Sequence, residues 1–317
     1  MHRGSTDSAS LRTRLRACRS FLLTPGSRPD GFAAASAAGG DAIIVDLEST
    51  VPVADKGRAR EAALTFLGDP PDTDFVRIIR INSPHSVDGL HDLLALHESG
   101  RHPDAVVIPK CESADEIRIV ADVLGGSQST IGVVPMVELA RAVFVAHLMA
   151  DAHERVCGLF LGGGDLAADL GAEGSWENLL YARSRIVVAA ATTGIAAIDV
   201  PYFKADGTGL RHEATASRKL GMTGKAALHP EQLAVINTFF TPSPDAVTRA
   251  RSTMAAIKSN LAGSPVLDGR VVEPAMVREA ERVLAIAAKL PAAPAHPPAV
   301  RSRDDGAPQH AAHEGAT

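Results

Sequence analysis

The chain has 317 residues, a formal net charge of −5, 45% hydrophobic residues and 4% aromatics. That length suits one large α/β domain or two ordinary ones, with a core built from Ala, Val, Leu and Ile. No long basic run suggests a nucleic-acid surface, and no apolar stretch reaches the roughly 20 residues that a membrane-spanning helix needs.

Residues 1–17 are rich in Arg, Ser and Thr and lack an apolar signal core, so they read as a flexible tail. From residue 18 a pattern repeats: a short aliphatic run, a polar or Gly/Pro loop, then an amphipathic stretch. Strands are expected at Ser20–Thr24, Ala42–Asp46, Val76–Ile81, Ala105–Pro109, Ile131–Val137, Val156–Leu161, Ala196–Val200 and Lys225–Leu228. Between and after them lie helices at Gly31–Ala38, Lys56–Leu67, Val87–His97, Ala114–Leu124, Leu139–Met149, Leu179–Thr193, Gly209–Leu220 and Glu231–Phe240. Such alternation implies parallel strands joined by crossover helices. Eight units in about 240 residues fit a (β/α)8 TIM barrel over 18–240. A doubly wound sheet is the alternative, but its Gly-rich turn is missing after the first strand, which continues "TPGSRP". Residues 241–290 read as a C-terminal helical extension: a helix, the loop or hairpin "GSPVLDGRVVEP", and a second helix. The Pro/Ala/His-rich stretch 291–317 reads as a disordered tail.

Barrel chemistry sits at the carboxyl ends of the strands. Here those ends carry Asp46 and Glu48, Arg80 and Asn82, Lys110, Glu138, Asp165, Asp199 and His229. Glu138 and Asp165 each follow an apolar strand. Two carboxylates sharing a partly dry pocket repel, and a divalent cation relieves that conflict. Mg²⁺ suits such a site, since it takes one or two carboxylates and completes its shell with water and substrate oxygens. A purely structural acid pair is the alternative. In "LFLGGGDLAADLG", glycines 162–164 allow backbone N–H groups, including those of Gly163 and Gly164, to face a ligand's oxygens. Arg80 can grip a carboxylate or an oxyanion, or instead form a salt bridge to Asp46 or Glu48. Asp46 could equally pair with Lys110, and Asp199 could be a satisfied rim acid. Together the set suits a 2-oxo acid and the enolate left by cleavage of an adjacent C–C bond.

The chain resembles the citrate lyase β-subunit-like (CitE-like) acyl-CoA lyases of the HpcH/HpaI aldolase superfamily. The resemblance runs from about Arg19 to about Leu290 through "RSFLLTPGSRP", "DAIIVDLESTVPVADKGRAREAA", "VRIIRIN", "VVIPKCESADEI", "VVPMVELARAV", "LFLGGGDLAADLG", "LYARSRIVVAAATTGIAAIDVPY" and "GMTGKAALHPEQLAVINTFFTPSPDAV". It implies a barrel, Mg²⁺ held by Glu138 and Asp165, and a CoA thioester with a short 2-oxo acid. It further implies Arg80 as the substrate arginine, with Glu48 beside it in the catalytic group. Lys56 and Arg60 are the implied contacts to the CoA phosphates, with an ordinary basic helix face as the alternative. Ile198 and Asp199 match positions lining the substrate pocket. Glu273 stands where the family has an acid/base Asp, often supplied across a subunit interface; a homotrimer or larger assembly is implied. Three positions depart from the family pattern: Ser49 for an acid, Gly164 for Glu, and Glu273 for Asp.

The expected activity is Mg²⁺-dependent cleavage, or the reverse condensation, of a 3-hydroxyacyl-CoA such as malyl-, citramalyl- or citryl-CoA. The alternatives are thioester hydrolysis, action on an acyl-carrier-protein thioester, and a CoA-ester-binding protein without turnover. Three cysteines without metal-type spacing point to a reducing cytoplasm.

Overall fold

A computed structural model describes residues 4–69, 75–204, 206–259 and 265–288. Its centre is a closed barrel of eight parallel strands in sequence order. The strands are β1 (Ser20–Pro25), β2 (Ala42–Asp46), β3 (Val76–Arg80), β4 (Ala105–Ile108), β5 (Gly132–Val137), β6 (Gly158–Leu161), β7 (Ala196–Asp199) and β8 (Gly224–Ala227). β1 pairs with both β2 and β8, which closes the ring. The (β/α)8 expectation is therefore met, and each expected strand agrees with the observed one to within two residues at either end.

A first helix, α1 (Gly4–Arg16), precedes the barrel. Over Gly4–Arg16 it corrects the reading of a flexible tail. Leu11 and Leu15 are buried, and they join the barrel-interior cluster that contains Phe21, Ile44 and Ile78. Arg12 Nε also donates to the Val156 carbonyl at 3.0 Å. The helix thus closes the N-terminal mouth of the barrel. Gly132 opens β5 beneath it, and a Cβ there would lie 2.5 Å from Leu11 Cδ2 and 2.6 Å from Cys157 Sγ. The low apolar content of the segment hid this role, because among its described side chains two leucines do the burying.

The helices that follow are α2 (Phe32–Ala37), α3 (Lys56–Gly68), α4 (Val87–Ser99), α5 (Ala114–Val123), α6 (Ala140–Ala150), α7 (Gly163–Asp169), α8 (Leu180–Thr193), α9 (Gly207–Leu220) and α10 (Pro230–Phe240). Their starts follow capping chemistry. Ser86 accepts from the Gly89 N–H and Ser113 from the Glu116 N–H, while Pro230 occupies the first position of α10. The C-terminal extension is α11 (Pro244–Ser259), a short hairpin of β9 (Val266–Leu267) and β10 (Arg270–Val271), and α12 (Pro274–Ala288). α12 packs along α11 and touches α1. Glu279 of α12 lies 3.9 Å from Arg218 in the last turn of α9. The extension therefore sits toward the N-terminal end of this chain's barrel. The expected disordered tail, 291–317, lies outside the described residues.

Alternation along each strand sets what points where. Ala42 and Ile44, Val76 and Ile78, Val134 and Met136, and Phe160 and Ile198 face the barrel interior. Ile43, Val45, Ile79, Val133, Val137 and Ala197 face the helices.

Candidate active site

The interior parity of β2, β3 and β5 carries Asp46, Arg80 and Glu138 to the C-terminal mouth. Asp46 and Arg80 are direct register partners across β2 and β3. Their side chains meet in a two-point pair: Arg80 Nε donates to Asp46 Oδ1 at 2.6 Å and Nη2 to Oδ2 at 2.7 Å. Both residues are buried. Burial opposes the charge on Asp46, but the Arg80 bonds and charge, with the Thr50 hydroxyl and the Glu48 N–H, hold its carboxyl below the ordinary range. Burial likewise works against the Arg80 cation, and Asp46 outweighs it, raising the guanidinium's pKa. Ser49 Oγ accepts a third bond from Arg80 at 2.6 Å, so the residue that departs from the family pattern still serves this arginine. Arg80 Nη1 is held more loosely, in an ion pair with Glu48 Oε2 at 3.5 Å and 4.0 Å from Met136 Sδ. Of the two partners weighed for Arg80, Asp46 takes the close pair.

Glu48 forms the link to Lys110, whose Nζ donates to Glu48 Oε1 at 2.6 Å. Asp46 and Lys110 therefore do not pair with each other. Lys110 has a left-handed backbone, φ 53°. That conformation is strained for a side chain larger than Asn. Its N–H donates to Glu138 Oε1 at 2.6 Å. Sequence patterning gave no sign of this contact, since it depends on a backbone turn.

Glu138 is 1% exposed. Burial, joined by the negative charge of nearby Asp165 and set against the Lys110 N–H, pushes its carboxyl up to about 7. Asp165 stands on the exposed rim in the first turn of α7. That helix is tied to the start of α6, two residues beyond Glu138, by the Ala140 N–H donating to Asp169 Oδ2 at 2.6 Å. The three glycines before Asp165 differ in purpose. A Cβ on Gly162 would lie 2.3 Å from Glu138 Oε2 and 2.4 Å from Glu138 Cβ, and one on Gly163 would lie 2.9 Å from Val200 Cγ2. Both are small because the protein itself packs there. Gly164 would meet nothing within 4 Å.

Ser49, Arg80, Glu138, Gly162 and Asp165 line one cavity of about 300 Å³, together with Leu23, Thr50, Met136 and Phe160. Gly163 and Gly164 also line it, and as the first residues of α7 their N–H groups have no acceptor within the helix. Among the described residues no cluster of three His, Cys, Asp or Glu side chains is built to hold a metal. Two carboxylates, one of them buried with an elevated pKa, nevertheless fit a six-coordinate hard cation that takes its other ligands from water and substrate.

Three expected contacts, those of Lys56, Asp199 and Ile198, are corrected, and Arg60 is partly engaged within the protein. Lys56 is buried, and its Nζ donates to the carbonyls of Leu47 at 2.7 Å and Glu48 at 2.6 Å and to Asn82 Oδ1 at 2.6 Å. An ammonium has three donors, so none is left for a phosphate. Arg60 is drawn inward as well, with Nε 2.7 Å from Asp92, which also accepts from both nitrogens of Asn82. These residues brace the loop that carries Glu48 and Ser49. Asp199 has the outward parity of Ala197. It is fully buried between Arg183 Nε at 2.9 Å, Lys225 Nζ at 2.8 Å and the Ser217 hydroxyl. Against the effect of burial, the Lys225 and Arg183 charges hold its carboxyl below the ordinary range. Ile198 faces inward but belongs to the core beneath the cavity, while the next residues along, Val200 and Pro201, form its wall. Glu273 is exposed at the start of α12 and does not line the cavity of its own chain.

The family model for HpcH/HpaI aldolase/citrate lyase matches residues 19–230. The chain belongs to this family. An L-malyl-CoA/beta-methylmalyl-CoA lyase of Rhodobacter capsulatus is 32% identical over 301 residues, covering 86% of this chain and 94% of that protein. A (3S)-malyl-CoA thioesterase of Cereibacter sphaeroides is 33% identical over 274 residues, covering 84% and 93%. Among solved structures, protein CitE from Mycobacterium tuberculosis in complex with magnesium, acetoacetate and coenzyme A superposes with a TM-score of 0.67 at 31% identity, covering 86% of this chain and 100% of that one.

Proposed function

We propose that this HpcH/HpaI family member is a Mg²⁺-dependent carbon–carbon lyase acting on a 3-hydroxyacyl-CoA thioester, in cleavage or in the reverse condensation. The observation that carries the reading is the cavity in which Arg80, pinned by Asp46, stands beside the buried Glu138 and the rim acid Asp165. Glu138 and Asp165 would hold the ion, whose contribution is Lewis acidity at the oxo acid's carbonyl. Arg80 would turn its Nη1 edge to the oxo acid's negative charge; because Asp46 already fixes the guanidinium, little reorganisation is needed as charge develops. The amides of Gly163 and Gly164 would donate to the acid's carboxylate. Cleavage requires removal of the C3 hydroxyl proton. The C2–C3 electron pair then passes to the thioester enolate, which is protonated at C2 to give the acyl-CoA. Glu273 is proposed as the acid/base. Its place away from its own cavity means that it would act in a neighbouring subunit, in a homotrimer or larger assembly. Glu48 would act by holding Lys110 beside the site.

The (3S)-malyl-CoA thioesterase relative keeps hydrolysis as a second reading. Incubating the purified protein and Mg²⁺ with malyl-, citramalyl- and citryl-CoA and identifying products by mass spectrometry separates the two. Acyl-CoA plus oxo acid supports the lyase; free hydroxy acid plus CoA contradicts it. Three buried cysteines without metal-type spacing support a reducing, cytoplasmic setting, and no helix among the described residues is long and apolar enough to cross a membrane.

A further inference from the structure

A second cavity of about 300 Å³ adjoins the first, and Gly163, Gly164, Val200, Pro201 and Phe203 are walls of both. The partition is thin at Gly164, which bears no side chain and faces open space. Trp176, Leu179 and Tyr202 supply the further apolar lining. Those walls are held in place. Arg183 lies 4.3 Å over the Trp176 ring and donates to the Trp176 carbonyl at 3.2 Å, while its Nε is fixed by Asp199. Tyr202 donates to Asp206 at 2.6 Å and accepts at its carbonyl from Gln232 at 2.9 Å. Two charged residues of the lining are already engaged, Arg183 with Asp199 and Glu213 with Lys225 at 3.1 Å. Glu177, Lys204 and His212 also line the cavity, but all three are exposed. The inner wall, where Trp176, Leu179, Val200 and Tyr202 stand and Arg183 is engaged, suits a hydrocarbon group.

We infer that the second cavity receives an apolar substituent of the substrate, so that the chain favours 3-hydroxyacyl-CoA esters bulkier than malyl-CoA. The inference rests on the lyase reading of the first cavity. The substituent could be carried by the oxo acid or by the acyl group, and the experiment has one arm for each. Trp176 is the chain's one tryptophan, so its emission reports on this cavity. In the first arm the Mg²⁺-loaded protein receives glyoxylate, pyruvate, 2-oxobutyrate or 2-oxopentanoate with acetyl-CoA. In the second it receives acetyl-, propionyl- or butyryl-CoA with glyoxylate. In one arm, kcat/KM for condensation should rise about tenfold with chain length and the longer ligand should change Trp176 emission; that arm identifies the carrier. Gly174→Phe fills the second cavity alone, from a position where a Cβ makes only an ordinary 3.8 Å contact with Ala167. It should abolish the chain-length gain while the shortest pair still turns over. His212→Ala, on an exposed face of α9, should extend the gain to longer chains. Turnover of the shortest pair with no gain and silent emission in both arms overturns the inference and leaves the lyase reading standing. So does an equal effect of the variants on every substrate. Absence of condensation with every pair in both arms removes the lyase reading and this inference with it.

Discussion

Replacing Gly162 with Ala tests how Glu138 is held. The new methyl would lie 2.4 Å from Glu138 Cβ, about 1 Å inside the 3.4 Å at which ordinary contact begins. Glu138 Cβ cannot swing away as a side-chain tip can, and Oε2 at 2.3 Å is blocked too. Met136 Cε, 3.0 Å away, narrows the room further. Overpacking of this kind costs about 1–3 kcal/mol. Relief must come from moving the β5 end or the Glu138 carboxylate, and a displacement near an ångström costs about a hundredfold in rate. Urea unfolding should therefore show a loss of about 1–3 kcal/mol. The Mg²⁺ concentration for half-maximal turnover should rise at least about tenfold, the equivalent of about 1.4 kcal/mol. Gly164→Ala, two residues on, meets no neighbour and should keep stability within about 1 kcal/mol of the parent. If Gly162→Ala matches the parent in both stability and Mg²⁺ requirement, the tight seating of Glu138 against β6 is wrong.

Three further outcomes are expected. Arg80→Lys loses the two-point grip on buried Asp46 and the bond to Ser49; turnover should fall at least about a hundredfold and stability by about 3 kcal/mol, read from kinetics and denaturant midpoints. Asp199 titrates below its ordinary 3.8, so the folded chain binds fewer protons there than the unfolded one; the stability this gives is present above that value and is lost as pH falls through the lowered pKa. Asp199→Asn should cost about 3–5 kcal/mol at neutral pH and flatten the acid limb of a stability–pH curve. Leu15→Ala, at the fully buried plug of the N-terminal mouth, should cost about 2–5 kcal/mol by calorimetric unfolding and leave the Mg²⁺ requirement unchanged.

The barrel was legible because its strands are short aliphatic runs whose ends coincide with polar residues, as in "AIIVDLES" and "VRIIRIN". Period-two alternation also places Asp46, Arg80 and Glu138 on the inner face, and applied to "AAIDV" it would have turned Asp199 outward. Lys56 and Arg60 read as exposed basic residues because the side chains that accept from them, Asn82 and Asp92, are distant in sequence. The α1 plug was missed since, among its described side chains, only Leu11 and Leu15 mark its buried side. The helix-like sequence beside Asp165 is α7, and its start on glycines kept its bounds from being read.

The central claim is that Glu138 and Asp165 hold one divalent ion beside Arg80. Isothermal titration of Mg²⁺, with pyruvate present, into the parent and into the Glu138→Ala/Asp165→Ala variant tests it most directly. One ion per chain in the parent and no measurable binding in a folded variant is the predicted result. Equal binding by both would contradict the account.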